Sequence, residues 1–266
     1  MDLGLDDKVA VVTGGSKGIG LAIARSLAAE GCALSICARH ESELEEAADE
    51  LRREGVRVLA EPTDLTKEAD LEAFVAATER EFGGADILVN NAGTVGDPGT
   101  LEEVSTEDWR TLFELNVFAV VSLTRALLPY MREQGWGRVI NISSENGRQP
   151  YPDMLAYSAS KGALDNFTKG LSKHCAEDGV LVNTVSPAFI RTPLVDEMME
   201  KAAEEEGLTR EEAYQSYLRS HRPHIEVGRP GEMEEVGPLV AFLASEQASF
   251  INGSDYRVDG GSVAAE

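Results

Sequence analysis

Short apolar runs alternate with longer stretches in which apolar residues recur every three or four positions, from one end of the 266-residue chain to the other. The runs at 8–13, 33–39, 56–61, 85–90, 137–144, 181–186 and 255–258 read as strands. Between them, 18–30, 42–54, 68–82, 106–134, 155–177 and 232–245 carry the 3.6-residue period of helices. Ser42 with Glu45 has the form of a capping box at a helix start. Such alternation predicts one α/β domain over 1–266, a doubly wound, mostly parallel sheet with helices on both faces. The strands are nearly continuous apolar runs, as burial on both faces requires.

One region breaks the rhythm. Residues 192–228 read as two short helices. Leu194, Val195, Met198, Met199 and Ala202 mark one apolar stripe, and Ala213, Tyr214, Tyr217 and Leu218 mark another. Gly207 separates them, and Thr209 with Glu212 forms a second capping box. Ligands of open α/β sheets bind outside the carboxyl ends of the strands. An excursion leaving that edge is placed to act as a substrate lid; an ordinary surface pair or an oligomer contact are the other readings.

Composition narrows the partners. Forty-seven acidic residues against 24 basic give a net charge of −23. That excess argues against nucleic acid and against anionic membranes as partners. It is spread over helix-like stretches, the pattern of a solvated surface or of adaptation to high salt. No apolar run approaches the roughly 20 residues of a membrane helix, and the first residues lack the basic stretch of a secretory signal. Cys32, Cys37 and Cys175 have no metal-ligand spacing, and the first two, in or beside a strand, read as small core or near-core residues. His221 and His224 stand three apart without a carboxylate or thiol set, so no metal site is assigned. The expected compartment is a reducing cytoplasm.

Two motifs carry chemistry. After the first strand, Thr13-Gly14-Gly15-Ser16-Lys17-Gly18-Ile19-Gly20 opens the first helix. A pyrophosphate has to approach free N–H groups at a helix N-terminus, and side chains would obstruct it. The spacing is neither the common dinucleotide fingerprint nor a P-loop. Where an NAD-preferring chain places an acid after the second strand, this one has Ala38-Arg39-His40. Arg39, with Lys17, offers positive charge to a 2′-phosphate, so NADP(H) is expected over NAD(H). The competing reading pairs Arg39 with Glu41 or Glu43 on the surface. Asp64 is positioned for the adenine edge, or is simply a turn residue at the strand end. Asn90-Asn91-Ala92-Gly93 ends the fourth strand with small residues that let backbone pass close to a cofactor.

The second motif is Tyr157-x-x-x-Lys161, with Ser144 thirteen residues before the tyrosine. On a helix, positions four apart share a face. An ammonium there favours phenolate and lowers the tyrosine pKa towards neutrality, which suits it to acid–base work on an alcohol or ketone oxygen. Asn116 sits oddly inside a helical pattern, since its amide competes with the backbone. A helix-bending or water-holding role accounts for it.

In order and spacing these motifs, with Pro187, Thr192 and the terminal Val258-Asp259-Gly260-Gly261, resemble the short-chain dehydrogenase/reductase family over essentially the whole chain. The resemblance implies a seven-stranded Rossmann-type sheet and a catalytic tetrad of Asn116, Ser144, Tyr157 and Lys161. It also implies cofactor contacts from Gly14, Ser16, Lys17, Gly18, Ile19, Gly20, Arg39, Asp64, Leu65, Asn91, Ala92, Gly93, Tyr157, Lys161, Pro187, Ile190 and Thr192. Ala188 departs from the glycine usual after Pro187. The nearest likeness is to reductases of 3-oxoacyl thioesters and related ketones. Glu145, Asn146, Gln149, Tyr151, Ala188 and Phe189 are expected to line the substrate pocket, with Arg148 and Arg191 available to an anionic substrate. An NAD-dependent dehydrogenase of a hydroxyacid or sugar alcohol, and a non-catalytic NADP-binding regulator, are the alternatives. A homodimer or homotetramer paired through the two long helices is expected.

Overall fold

A computed structural model describes residues 2–264. The chain opens with β1 (Val9–Thr13), every residue of which is buried. It turns through the glycine loop into α1 (Gly18–Ala29), returns as β2 (Ala33–Ala38), and continues through α2 (Glu41–Arg52), β3 (Val58–Pro62), α3 (Glu68–Phe82) and β4 (Ile87–Asn90). Next come α4 (Thr106–Phe113), a π-helical turn at Glu114–Phe118, α5 (Ala119–Gln134), β5 (Gly137–Ile142), α6 (Leu155–Cys175) and β6 (Val180–Pro187). Two residues of β7 (Ile190–Arg191) lead to α7 (Pro193–Glu206) and α8 (Arg210–His221); β8 (Gly231–Glu232), α9 (Gly237–Ala244) and β9 (Asp255–Val258) complete the chain.

The main sheet has seven parallel strands in the order β3-β2-β1-β4-β5-β6-β9, and β7 pairs with β8 apart from it. The order reverses between β1 and β4, so the crevice for a ligand opens at the carboxyl ends of those two strands. The core lies on both faces. Ile23, Leu27, Leu34, Ile36 and Val240 pack on one side, and Phe74, Leu88, Leu123, Leu127 and Met131 on the other. Central strands are buried throughout, whereas edge strands β3 and β9 are half-exposed, so the two-faced burial read from the sequence holds only at the centre.

Several local expectations change. No side chain caps α2: His40 occupies the cap, and Ser42 lies inside the first turn. Glu41 and Glu43 meet the positive helix end there. The 106–134 stretch is not one regular helix, because the π turn centred on the buried Asn116 interrupts it. Its apolar character reaches further than the sequence reading allowed, with mean hydropathy 1.5 over 18 residues. Leu123, Leu127, Leu128 and Met131 of that stretch are core residues. The helix expected at 232–245 shortens to α9, since Pro238 sits in its first turn. Gly237 there is pressed against the Ala22 carbonyl and the Ser26 hydroxyl of α1, a contact that leaves no room for a side chain. All three cysteines are buried and free, and burial pushes the Cys32 and Cys37 thiols up to about 12.

The 192–228 excursion folds as the two expected helices. Gly207 ends α7 with φ of 70°, and Thr209 and Glu212 exchange both bonds of a capping box at α8. Its apolar stripe is narrower than the sequence suggested. Met199, Tyr214 and Leu218 are buried with Phe189 and Ile225 in a small core of their own, but Leu194 and Met198 face outwards.

Candidate active site

The glycine turn is shaped by its neighbours. Gly14 and Gly18 adopt φ of 65° and 61°, the left-handed region that favours glycine. A methyl on Gly20 would collide with the Gly14 carbonyl and the Asn91 amide. Asn91 donates its amide to the Thr13 carbonyl at 2.8 Å, and the Thr13 hydroxyl accepts from the backbone N–H groups of Asn91 and Ala92 at 2.9 Å each. The ends of β1 and β4 are thereby tied together. At the start of α1, Lys17 makes no side-chain cap and the first turn holds no acid. The free N–H groups suit an anion, so the cradle fits the pyrophosphate of a dinucleotide.

The residues assigned to the rest of that ligand are placed unequally. Gly18 faces Thr192, whose methyl is 3.9 Å from where a Cβ on Gly18 would stand; Thr192 itself caps α7. Ile190 is buried in β7, and Pro187 ends β6. Lys17 is held by Glu43 at 2.9 Å. Arg39 is exposed and, among the described residues, makes no ion pair, so the surface pairing weighed for it is not formed. The Asp64 carboxylate serves its own turn, accepting from the Thr66 N–H and hydroxyl and lying 3.3 Å from Lys67. Those contacts hold it below its usual value. Leu65 beside it is buried.

The four tetrad positions converge. Asn116, in the π turn, accepts from the Thr94 N–H at 2.9 Å, and its amide donates to the Thr94 carbonyl at 2.9 Å and the Ser160 hydroxyl at 3.0 Å. Its side chain is fully spent on joining the β4 loop to α6. Gly93 fits between Asn116 and Lys161: a Cβ there would lie 3.1 Å from Asn116 Oδ1 and 3.6 Å from Lys161 Nζ. Lys161 Nζ donates to the Ile142 carbonyl at 2.8 Å and stands 5.7 Å from the centre of the Tyr157 ring. Ser144, just past β5, is buried and accepts from the Asn146 N–H at 3.2 Å.

Electrostatics depart from the sequence argument. Burial pushes the Tyr157 phenol up, with the Ser144 hydroxyl acting against it and Glu145 adding to it. Lys161 does not reverse that direction, and burial drives its own ammonium down from 10.5 to about 8. Asp165, one turn further along α6, is pushed by burial from 3.8 up to about 6.

Of the expected substrate-pocket residues, Glu145 and Asn146 are buried beside Ser144, and Tyr151 donates its hydroxyl to Glu145 at 3.1 Å. Phe189 stacks on Tyr217 of α8 at 4.9 Å, which places α8 against the end of β6. Ala188 and Phe189 line a hollow with Ile225 and Val227. Arg148 and Arg191 are not free for an anion: Arg148 pairs with Asp255 at 3.1 Å and Arg191 with Glu211 at 3.0 Å. The cation that does approach is Arg222, which the sequence reading missed. It is the C-cap of α8, buried, with Nε 3.7 Å from Glu145. Nothing local in His221-Arg222-Pro223-His224 marks it; only the packing of α8 does. His221 stacks on Tyr217 at 4.5 Å.

A family model described as short chain dehydrogenase matches residues 8–203. A putative ketoacyl reductase of Streptomyces coelicolor is 36% identical over 258 residues, covering 96% of this chain and 97% of its own. The crystal structure of L-sorbose reductase from Gluconobacter frateurii, complexed with NADPH and L-sorbose, superposes with a TM-score of 0.95 at 39% identity, covering 100% of both chains. An NAD+-bound xylitol dehydrogenase superposes at 0.87 with 29% identity, covering 97% of this chain and 99% of the other.

Proposed function

The chain belongs to the short-chain dehydrogenase family, and from that premise we propose that it uses NADP(H) to reduce a ketone to a secondary alcohol. The observation that carries this reading is the meeting of Asn116, Ser144, Tyr157 and Lys161 beside a glycine cradle at the switch point of the sheet. Membership itself makes the protein an oxidoreductase acting between CH–OH and C=O with a nicotinamide cofactor. Preference for the phosphorylated cofactor rests on Ala38 and the unpaired Arg39. The glycine turn would hold the pyrophosphate, with Ser16, Ile19, Ala92 and Thr192 around it.

The cofactor, when bound, supplies the hydride. The chain's own groups manage the oxygen. Ser144 and Tyr157 hold the carbonyl oxygen between two hydroxyls and stabilise the charge that develops on it. Tyr157, kept protonated by burial, gives its proton to that oxygen. Lys161, fixed by the Ile142 carbonyl, lies over the tyrosine ring and eases loss of the proton. Asn116 locks the π turn against Thr94 and Ser160. A π turn leaves a backbone carbonyl without its helical partner, an acceptor suited to the water that returns a proton through Lys161.

Among ketones, similarity to a ketoacyl reductase supports a 3-oxoacyl thioester or a related compound. A second reading, a polyhydroxylated ketone, is favoured by the buried carboxylate of Glu145 beside Ser144 and by similarity to L-sorbose reductase. In this reading α7 and α8 are the lid of one domain, and the enzyme works in the cytoplasm as a homodimer or homotetramer. The exposed Phe118 of the π turn supports the assembly. Tyr157→Phe tests the assignment. Its kcat for ketone reduction is expected to fall about 10²–10⁴-fold while NADPH binding persists. Near-normal turnover would sink the mechanism.

A further inference from the structure

Eight buried side-chain polar atoms lack a hydrogen-bond partner among the described residues, and three of them gather in one place: Glu145 Oε2, Gln149 Nε2 and Ser262 Oγ. Tyr151 ties them together. Its hydroxyl donates to Glu145 Oε1 at 3.1 Å, and both Gln149 and Ser262 lie near enough to influence it. Glu145 is 2% exposed. Burial pushes its carboxyl up, and a loose hydrogen bond from Ser262 and the charge of Arg222 oppose that, though Oε2 has no partner of ordinary hydrogen-bond geometry among the described residues. The Arg222 guanidinium lies over the Tyr151 ring at 4.1 Å, and its Nε is 3.7 Å from Glu145, an ion-pair distance too long for a hydrogen bond. The cluster adjoins the reacting groups: Glu145 follows Ser144 directly, and the charges of both Glu145 and Arg222 are felt at Tyr157.

A buried carboxylate oxygen without a donor is costly unless a ligand completes it. The missing partner must donate to Glu145 and lie beside a guanidinium that donates. A hydroxyl does both. A carboxylate would meet Glu145 with like charge, and an alkyl or acyl chain would leave Oε2 unsolvated. Since the pair is formally neutral, it selects polarity and not charge.

We infer that Glu145 and Arg222 form the subsite that selects a hydroxyl beside the reacting carbonyl, so that the substrate is a neutral polyhydroxylated ketone. This rests on the ketone-reductase reading of the same site. Because Arg222 ends α8, opening of the lid withdraws the guanidinium and uncovers Glu145, and closure brings both groups onto the substrate hydroxyl.

The test compares L-sorbose with 2-hexanone, a ketone of equal carbon count without hydroxyls, in NADPH oxidation by the intact protein. Wild type is expected to favour L-sorbose in kcat/KM by at least about a hundredfold, as a site built for hydroxyls rejects the analogue lacking them. Glu145→Gln, which keeps the shape and removes the charged acceptor, is expected to reduce that ratio about tenfold or more, mainly through KM. Arg222→Met is expected to reduce it in the same direction. NADPH titration of each variant checks that the fold and the cofactor site survive. A wild-type preference for 2-hexanone would overturn the inference, and so would an equal loss on both ketones in the variants. Absence of turnover with either ketone, together with no NADPH binding, would overturn the reductase reading itself; binding without turnover of either ketone would overturn the subsite alone.

Discussion

Arg39→Ala is the perturbation that separates the two nicotinamide cofactors. At the end of β2 the chain presents Ala38-Arg39-His40, where a carboxylate would bond a ribose 2′-hydroxyl. Two cations flank this edge, and the structure distinguishes them. Arg39 is exposed and unpaired among the described residues, whereas Lys17 is held by Glu43 at 2.9 Å. Recruiting Lys17 to a phosphate first breaks its exposed pair with Glu43. A charge-assisted hydrogen bond contributes about 1.5–3 kcal/mol, and the exposure of Arg39 places it at the lower end, about 1.5–2 kcal/mol. The Kd for NADPH is therefore expected to rise about 10- to 30-fold in Arg39→Ala. NADH, which has no 2′-phosphate, should hardly respond. Lys17→Ala should cost less, about three- to tenfold, because the pair with Glu43 already offsets part of its gain. The assay is fluorescence titration of the purified protein with NADPH and with NADH, at low and high salt. An exposed phosphate contact has to weaken as salt rises. Equal loss of both cofactors, or tighter binding of NADH by wild type, would refute the 2′-phosphate reasoning and bring NAD-dependent oxidation of hydroxyacids or sugar alcohols forward.

Two further outcomes follow from the geometry. Gly20→Ala places a methyl against the Gly14 carbonyl and the Asn91 amide, so overpacking should cost about 1–3 kcal/mol in the denaturant midpoint analysis. NADPH affinity should fall at least about tenfold with it, and a variant of wild-type affinity would show that the loop has room. Lys161, driven down to about 8, carries its charge below that pH and loses it above. Tyr157 is pushed up and stays protonated over the same range, so ketone reduction should be level near neutrality and fall as pH passes about 8. A rate that stays level to about pH 10 would remove Lys161 from the proton path.

The architecture was legible because it follows from periodicity, which is local. Alternating apolar runs and helical stripes marked the parallel strands, and the misfit of Asn116 in a helix pointed to a local bend without revealing the π turn that makes it. Thr209 and Glu212 were read as a capping box and are one. Ser42 looked the same on paper, but α2 begins one residue earlier, which puts Ser42 inside the first turn with Glu41 and Glu43 beside the positive helix end. What failed depends on contacts distant in sequence. Arg148 and Arg191 looked available until Asp255 and Glu211 were brought to them. Arg222 went unremarked, because only the packing of α8 brings it over Tyr151, 71 positions away in the chain. The direction of the Tyr157 shift was misjudged because the Tyr–Lys spacing is visible in sequence and burial is not.

Hydrogen-bond accounting divides the site into two halves with different duties. Around the glycine cradle and the tetrad, the polar side chains of Thr13, Asn91 and Asn116 are committed to backbone or to one another. Such groups cannot adapt to a ligand. They fix the backbone so that a dinucleotide common to many reactions meets free N–H groups and bare glycine. On the α8 side, Glu145 Oε2, Gln149 Nε2 and Ser262 Oγ have no hydrogen-bond partner among the described residues. Each unsatisfied buried group costs about 1–3 kcal/mol, a cost a fold tolerates where a ligand removes it. Rigidity thus sits around the glycine cradle and Asn116, and stored polarity sits beside Ser144, with a second instance at Asp165, one turn from Lys161. A substitution in the first half should weaken every substrate alike through the cofactor or the proton path, and one in the second should change the ranking of substrates. Measuring kcat/KM on two ketones, in place of one, is therefore the assay that reads which half a residue belongs to.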